Sequence, residues 1–91
     1  MYADKSVMIF PQPLDSSGGM PLRVQLREGV LAAIGDGRLA AGDQLPTMRE
    51  LAVHLLIDLN TVQRAYAELE RLGAVETRRA RGSFVTHAPP V

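Results

Sequence analysis

The side chains best equipped for chemistry in this sequence are hydrogen-bonding groups, and they fall in two short runs. In the first, Leu59-Asn60-Thr61-Val62-Gln63-Arg64, the polar members are Asn60, Thr61, Gln63 and Arg64. Asn and Gln can pair bidentately with adenine and Arg with guanine, while a Thr methyl or hydroxyl can meet thymine or a phosphate. The second run is basic: Arg78, Arg79 and Arg81 lie close together, with Glu76 as the nearby acid. Such a cluster can sit against a phosphate backbone or in a narrow minor groove, where negative potential favours Arg. Taken singly, either run is equally at home on a solvated helix face or an exposed hairpin, so the elements that carry them decide.

No comparable set points to catalysis. Ser6, Ser16, Ser17 and Ser83 lie in no nucleophile motif, and His54 and His87 stand far apart in sequence. The chain has no Cys, which excludes a disulfide framework or a thiolate metal site and suits a reducing cytosol. We therefore expect no enzyme, no cofactor and no metal. His54 reads as a polar residue at a helix edge, and Tyr66 and Phe84 as core residues on the apolar side of their elements rather than base-stacking platforms. No apolar run approaches the ~18 residues of a membrane span, so the cytoplasm is the expected location. Ten basic residues balance ten acidic ones for a formal charge of zero, which weighs against a general polyanion binder. A local basic tip on a neutral domain weighs the other way.

The 91 residues suffice for a single core. Residues 1–20 show no helical period, and 1–14 read as an N-terminal arm. Val7-Met8-Ile9-Phe10 is a short apolar arm suited to pairing as a strand, to self-association, or to packing on its own domain. Asp15-Ser16-Ser17-Gly18-Gly19 then forms a loop. Pro21 suits a first helical position, and Leu22, Leu26, Val30, Ala33 and Ile34 recur on one face, predicting a helix over 21–36 with Arg23 and Arg27 on its solvated side. Gln44-Leu45 is long enough for one strand rung. Thr47 and Glu50 make a capping-box pattern ahead of Met48, Leu51, Ala52 and Leu55, predicting a helix over 47–56. Asp58 can cap a third, over 58–73, whose stripe is Val62, Ala65, Tyr66, Leu69 and Leu72 and which Gly73 stops. Glu28, Glu68 and Glu70 read as surface charges, with Arg64 and Arg71 at pairing distance from Glu68. Residues 74–86 alternate around Ala80-Arg81-Gly82 and predict a β-hairpin, with a flexible tail over 87–91.

The order of these pieces is more specific than any of them alone. Gly37-Arg38-Leu39-Ala40-Ala41-Gly42-Asp43-Gln44-Leu45-Pro46-Thr47-Met48-Arg49-Glu50-Leu51-Ala52, then Asn60-Thr61-Val62, Leu69-Glu70, and Arg81-Gly82-Ser83-Phe84-Val85, resemble the signatures of the GntR family of bacterial regulators over roughly residues 14–86. Asn60 to Tyr66 looks most like the YtrA-type branch, with the aminotransferase-fused MocR-type branch next. The resemblance implies a mainly α fold with a small β-hairpin, a winged helix-turn-helix of three core helices plus a wing, over residues 15–86. It also implies that helix 58–73 reads the major groove of double-stranded operator DNA and that the wing at 79–82 touches backbone or minor groove, in a transcriptional regulator acting as a repressor. The small DNA footprint of one such module leads us to expect a homodimer or higher as the working unit. The residues the resemblance assigns to DNA are Arg49, Asn60, Thr61, Gln63, Arg64, Arg79, Arg81 and Gly82. Gly82 would let the backbone approach closely.

The sequence also departs from that pattern. Where many members carry Gly-Val-Ser-Arg ahead of Asn-Thr, this chain has Leu56-Ile57-Asp58-Leu59. Leu59 can bind neither phosphate nor guanine, leaving contact with a thymine methyl or packing on a neighbour. Asp58 suits the helix dipole but repels DNA. No effector pocket is expected within the chain, which reads either as a fragment or as a minimal regulator. The competing reading is a winged helix used for protein interaction or dimerisation, with weak or no DNA binding.

Overall fold

Apolar stripes of helical period become packed helices in the computed structural model, which describes residues 5–87. The elements are α1 Lys5–Ile9, α2 Leu22–Gly35, α3 Met48–Leu55, α4 Leu59–Arg71, β1 Val75–Arg78 and β2 Gly82–Val85. The expected residues 1–4 of the arm and 88–91 of the tail lie outside the described part.

Leu26, Val30 and Ala33 of α2, Leu51 and Leu55 of α3, and Val62, Ala65, Tyr66 and Leu69 of α4 meet in one core. Leu72, the expected end of the α4 stripe, remains about half exposed because the helix stops there. Gly73 at φ +80° turns the chain, and the Ala74 N–H reaches back to the Leu69 carbonyl at 3.0 Å, which satisfies an orphan carbonyl of the last turn.

The capping box at α3 forms as its residue types predict. The Glu50 N–H donates to Thr47 Oγ1 at 3.1 Å and the Thr47 N–H to Glu50 Oε1 at 2.9 Å. The far end of α3 is less orthodox. Leu56 closes it in the left-handed region at φ +58°, with the Ile57 N–H bonded to the Ala52 carbonyl at 3.1 Å. A non-glycine residue is strained there.

The hairpin pairs antiparallel as expected, with Val75 opposite Val85 and Arg78 opposite Gly82. Gln44 adds an isolated bridge to Phe84, the single rung its sequence allowed. Backbone bonds from the Gly42 N–H to the Val85 carbonyl (2.9 Å), the Val85 N–H to the Asp43 carbonyl (2.8 Å) and the Leu45 N–H to the Ser83 carbonyl (2.8 Å) extend this seam.

Three expectations are corrected. The Val7–Phe10 arm does not pair as a strand: it belongs to α1, which buries Ile9 and leads into buried Phe10. Tertiary partners hold this short helix. Arg38 Nη1 donates to the Met8 and Ile9 carbonyls at 3.1 and 3.2 Å, Lys5 Nζ to the Gln44 carbonyl at 3.0 Å, and His54 Nε2 lies 2.7 Å from the Phe10 carbonyl. A carbonyl only accepts, so Nε2 carries a proton, and His54 is a half-buried anchor of the arm rather than a bare surface group. Phe84 is not core. The strand register turns Ser83 and Val85 inward and leaves Phe84 half-buried on the opposite face, with the Arg78 guanidinium 4.6 Å above its ring. No helix among the described residues is long and apolar enough to cross a membrane.

Candidate nucleic-acid interface

α4 carries the first candidate cluster, and its start is set by Asp58. The Asp58 carboxylate accepts the Thr61 N–H at 3.0 Å and the Thr61 hydroxyl at 2.6 Å. The Thr61 hydroxyl bond, then the backbone bond, hold the Asp58 carboxyl below the ordinary carboxylate range, so it is charged at neutral pH. Thr61 consequently has its hydroxyl proton committed within the protein and is half-buried. It can still accept a hydrogen bond, but it donates to a phosphate only by giving up the cap. Leu59 is half-buried and packs against the core, which resolves its two options in favour of packing.

Asn60, Gln63 and Arg64 are exposed on α4, and no hydrogen bond or ion pair among the described residues engages their side chains. Asn60, Thr61 and Arg64 border a cleft of about 340 Å³ whose other wall is Pro21, Leu22 and Arg23 at the start of α2. Arg49, the second residue of α3, is exposed and equally without a protein partner among the described residues.

On the wing, the three arginines have different fates. Arg78 is spent on the fold, over Phe84 and 2.8 Å from Glu76. Arg79 and Arg81 are exposed, and no side-chain partner holds either among the described residues. The turn between the strands is closed by the Arg81 N–H on the Arg78 carbonyl at 3.0 Å, with Ala80 at φ +63°. Gly82 follows at φ +112°, and a Cβ there would stand 2.8 Å from Gln44 Nε2, which itself donates to the Arg81 carbonyl at 2.8 Å. The backbone angle favours glycine here, whereas the Gln44 amide that a Cβ would meet is the far end of a flexible side chain. Arg79, Arg81 and Gly82 line a second cleft of about 480 Å³, shared with the start of α3. Arg49 and Gln63 line neither cleft.

Sequence spacing misplaced one charge network. Glu68 pairs not within its own helix but with α2, receiving Arg23 Nε at 3.0 Å and Arg27 Nη1 at 2.8 Å. Arg27 first and Arg23 after it lower the Glu68 carboxyl, which is only 18% exposed. Arg23 and Arg27 are therefore cross-helix ties rather than a plain solvated face. No group of His, Cys, Asp and Glu among the described residues is arranged to hold a metal ion.

This arrangement has close counterparts. YtrA from Sulfolobus acidocaldarius, described as a GntR-family transcription factor, superposes with a TM-score of 0.78 at 31% identity, covering 81% of this chain and 78% of that one. AraR(DBD) in complex with operator ORR3 superposes with a TM-score of 0.72 at 26% identity over 85% of this chain and 93% of that one. The HTH-type transcriptional regulator YhcF of Bacillus subtilis (strain 168) is 42% identical over 65 residues, 71% of this chain. The chain spans about half of that relative's length, 54%. The sequence pattern of the bacterial regulatory proteins of the gntR family matches residues 22–85, most of the chain and all of the helix-turn-helix and wing, and the protein belongs to the GntR family.

Proposed function

We propose that this chain binds double-stranded operator DNA as a transcriptional regulator, with the start of α4 in the major groove and the wing tip on the backbone or in the adjacent minor groove. The observation that carries the reading is the combination of Asn60, Gln63 and Arg64 on α4 with Arg79 and Arg81 on the wing, exposed side chains that have no partner among the described residues. These amides and guanidiniums suit base edges and phosphates respectively, and a neighbouring fold, AraR(DBD), is solved on its operator. Arg49 adds a cation at the start of α3, where the helix dipole gives it no stabilisation and a phosphate would. Repression is favoured by the names of relatives such as the HTH-type transcriptional repressor YtrA of Bacillus subtilis.

The working unit in this reading is a homodimer in the cytoplasm. A single module of this size buries only ~600–1,000 Å² on DNA, and Leu59 takes the place of a phosphate-binding Arg, so a second module supplies affinity by avidity. Selection of bound duplexes from a random pool, followed by affinity measurement across salt, tests the function. A recovered two-fold symmetric site with strong salt dependence is expected; no enriched sequence and no salt dependence would leave the protein-interaction reading in its place. Sedimentation on that duplex should show two chains per site.

A further inference from the structure

Three clefts border α4: one beside the wing, one at the start of the helix against α2, and one farther along the same two helices that Glu28 and Glu68 line together with Arg27 and Arg71. The cleft beside the wing is accounted for by Arg79, Arg81 and Gly82. The cleft at the start of α4 is lined by Pro21, Leu22, Arg23, Asn60, Thr61 and Arg64, an open space of about 340 Å³ with two guanidiniums and no carboxylate among its lining residues, the Asp58 and Glu68 carboxylates being bonded to Thr61 and Arg23. Arg64 has no protein partner among the described residues. Arg23 is held by one edge only: its Nε is fixed on Glu68 Oε2 at 3.0 Å, and no partner engages its terminal nitrogens among the described residues. Glu68 is fixed in turn by Arg27 at 2.8 Å. An arginine whose Nε is tied down loses little further rotamer freedom when its terminal nitrogens bind a second oxyanion.

We infer that this cleft binds a backbone phosphate of the DNA, held between Arg23 and Arg64, on the side of α4 remote from the wing cleft. The inference rests on the DNA-binding reading above and adds Arg23 to it. The cleft is continuous with the base-facing run, since Asn60, Thr61 and Arg64 belong to both. A helix laid in the major groove has a sugar–phosphate strand on each side, and phosphate contacts on both sides fix its register. The wing and Arg49 can serve one strand. Of the two clefts that α4 shares with α2, this one is lined by arginines without a carboxylate, whereas Glu28 and Glu68 line the other.

The test measures affinity across salt for a selected duplex and for random duplex, using the full chain and its Arg23→Gln, Arg23→Lys and Arg79→Ala/Arg81→Ala variants. Arg23→Gln should reduce the slope of log affinity against log salt by ~0.9, the value of one lost phosphate contact, and weaken both duplexes by the same factor. Arg23→Lys, which keeps the charge, should retain the slope. Ethylation of single phosphates checks the point without any variant: wild-type protein should lose binding at a phosphate to which Arg23→Gln is indifferent. A wild-type slope in Arg23→Gln, with a flattened slope in the wing variant, would overturn the cleft while leaving DNA binding intact. Insensitivity of both variants to salt would remove the DNA-binding reading and this inference with it.

Discussion

The start of α4 and the tip of the wing both present polar side chains to solvent, yet opposite means hold them. α4 is pinned from beneath by buried Val62, Ala65, Tyr66 and Leu69 and from its end by the Asp58 cap, so its outward side chains project from a fixed backbone. The wing tip rests on a tight turn with Ala80 and Gly82 at positive φ, and Arg79 and Arg81 leave it with no side-chain partner among the described residues. Base edges demand directional hydrogen bonds, so groups that read them belong on the pinned element. Phosphates accept a cation from many directions, so long side chains on a less constrained tip suffice.

The largest expected effect would break the pinned side of this contrast. Leu69→Ala, at a fully buried position, should cost about 2–5 kcal/mol of stability in calorimetric unfolding. A much smaller loss would mean that α4 is not anchored as described. The next effect separates reading from attraction. Asn60→Ala or Gln63→Ala should cost about 1–3 kcal/mol on the best selected duplex and little on random DNA, with the salt slope preserved. The wing variant Arg79→Ala/Arg81→Ala should weaken all sequences alike and flatten the slope by ~1.8. Equal loss of discrimination from both sets would erase the distinction.

Smaller effects sharpen it at the two strained turns. Leu56 is 89% exposed and left-handed, so Leu56→Gly loses little burial and should stabilise the chain by about 1 kcal/mol in a denaturant titration. Ala80→Gly should act in the same direction on the wing, and by less, because the residue removed is smaller. The mildest effect lies at the cap. The Asp58 carboxyl is held below its ordinary pKa of 3.8, so its contribution is fully present above that value and is lost as pH falls through the lowered native one. The melting-temperature difference between wild type and Asp58→Asn should therefore be constant at neutral pH and close only in acid. A difference that persists unchanged well below pH 3.8 would show that the charge is not what the cap uses.

The three long helices, the hairpin and the Gln44 rung were legible because each is written locally, in period, caps and turn residues. α1 was not. Val7-Met8-Ile9-Phe10 has the composition of a strand, and its helical state is imposed by Arg38, His54 and the core, which lie far along the chain. Phe84 was misplaced for a different reason. Alternation gives two faces but not which one points inward, and pairing Val75 with Val85 assigns the inner face to Ser83 and Val85. The Arg23–Glu68–Arg27 tie joins residues more than 40 positions apart, beyond any helical spacing rule. Among the candidate site residues, spacing identified the outward polar positions of α4, but the commitment of the Thr61 hydroxyl to Asp58 and of Arg78 to Phe84 emerged only from geometry.

The seam that joins residues 42–45 to the second wing strand bears on how DNA would be sensed. Because that segment leads directly into α3, and Tyr66 of α4 donates its hydroxyl to the Pro46 carbonyl at 2.7 Å, the wing and the helix pair share one short, hydrogen-bonded chassis. The spacing between the wing strands and α4 is thus tied by hydrogen bonds, while the side chains at the wing tip are not. In the proposed complex, a duplex that meets both contacts would adapt its groove width and twist to that spacing, so base steps touched by neither would be selected according to how readily they deform.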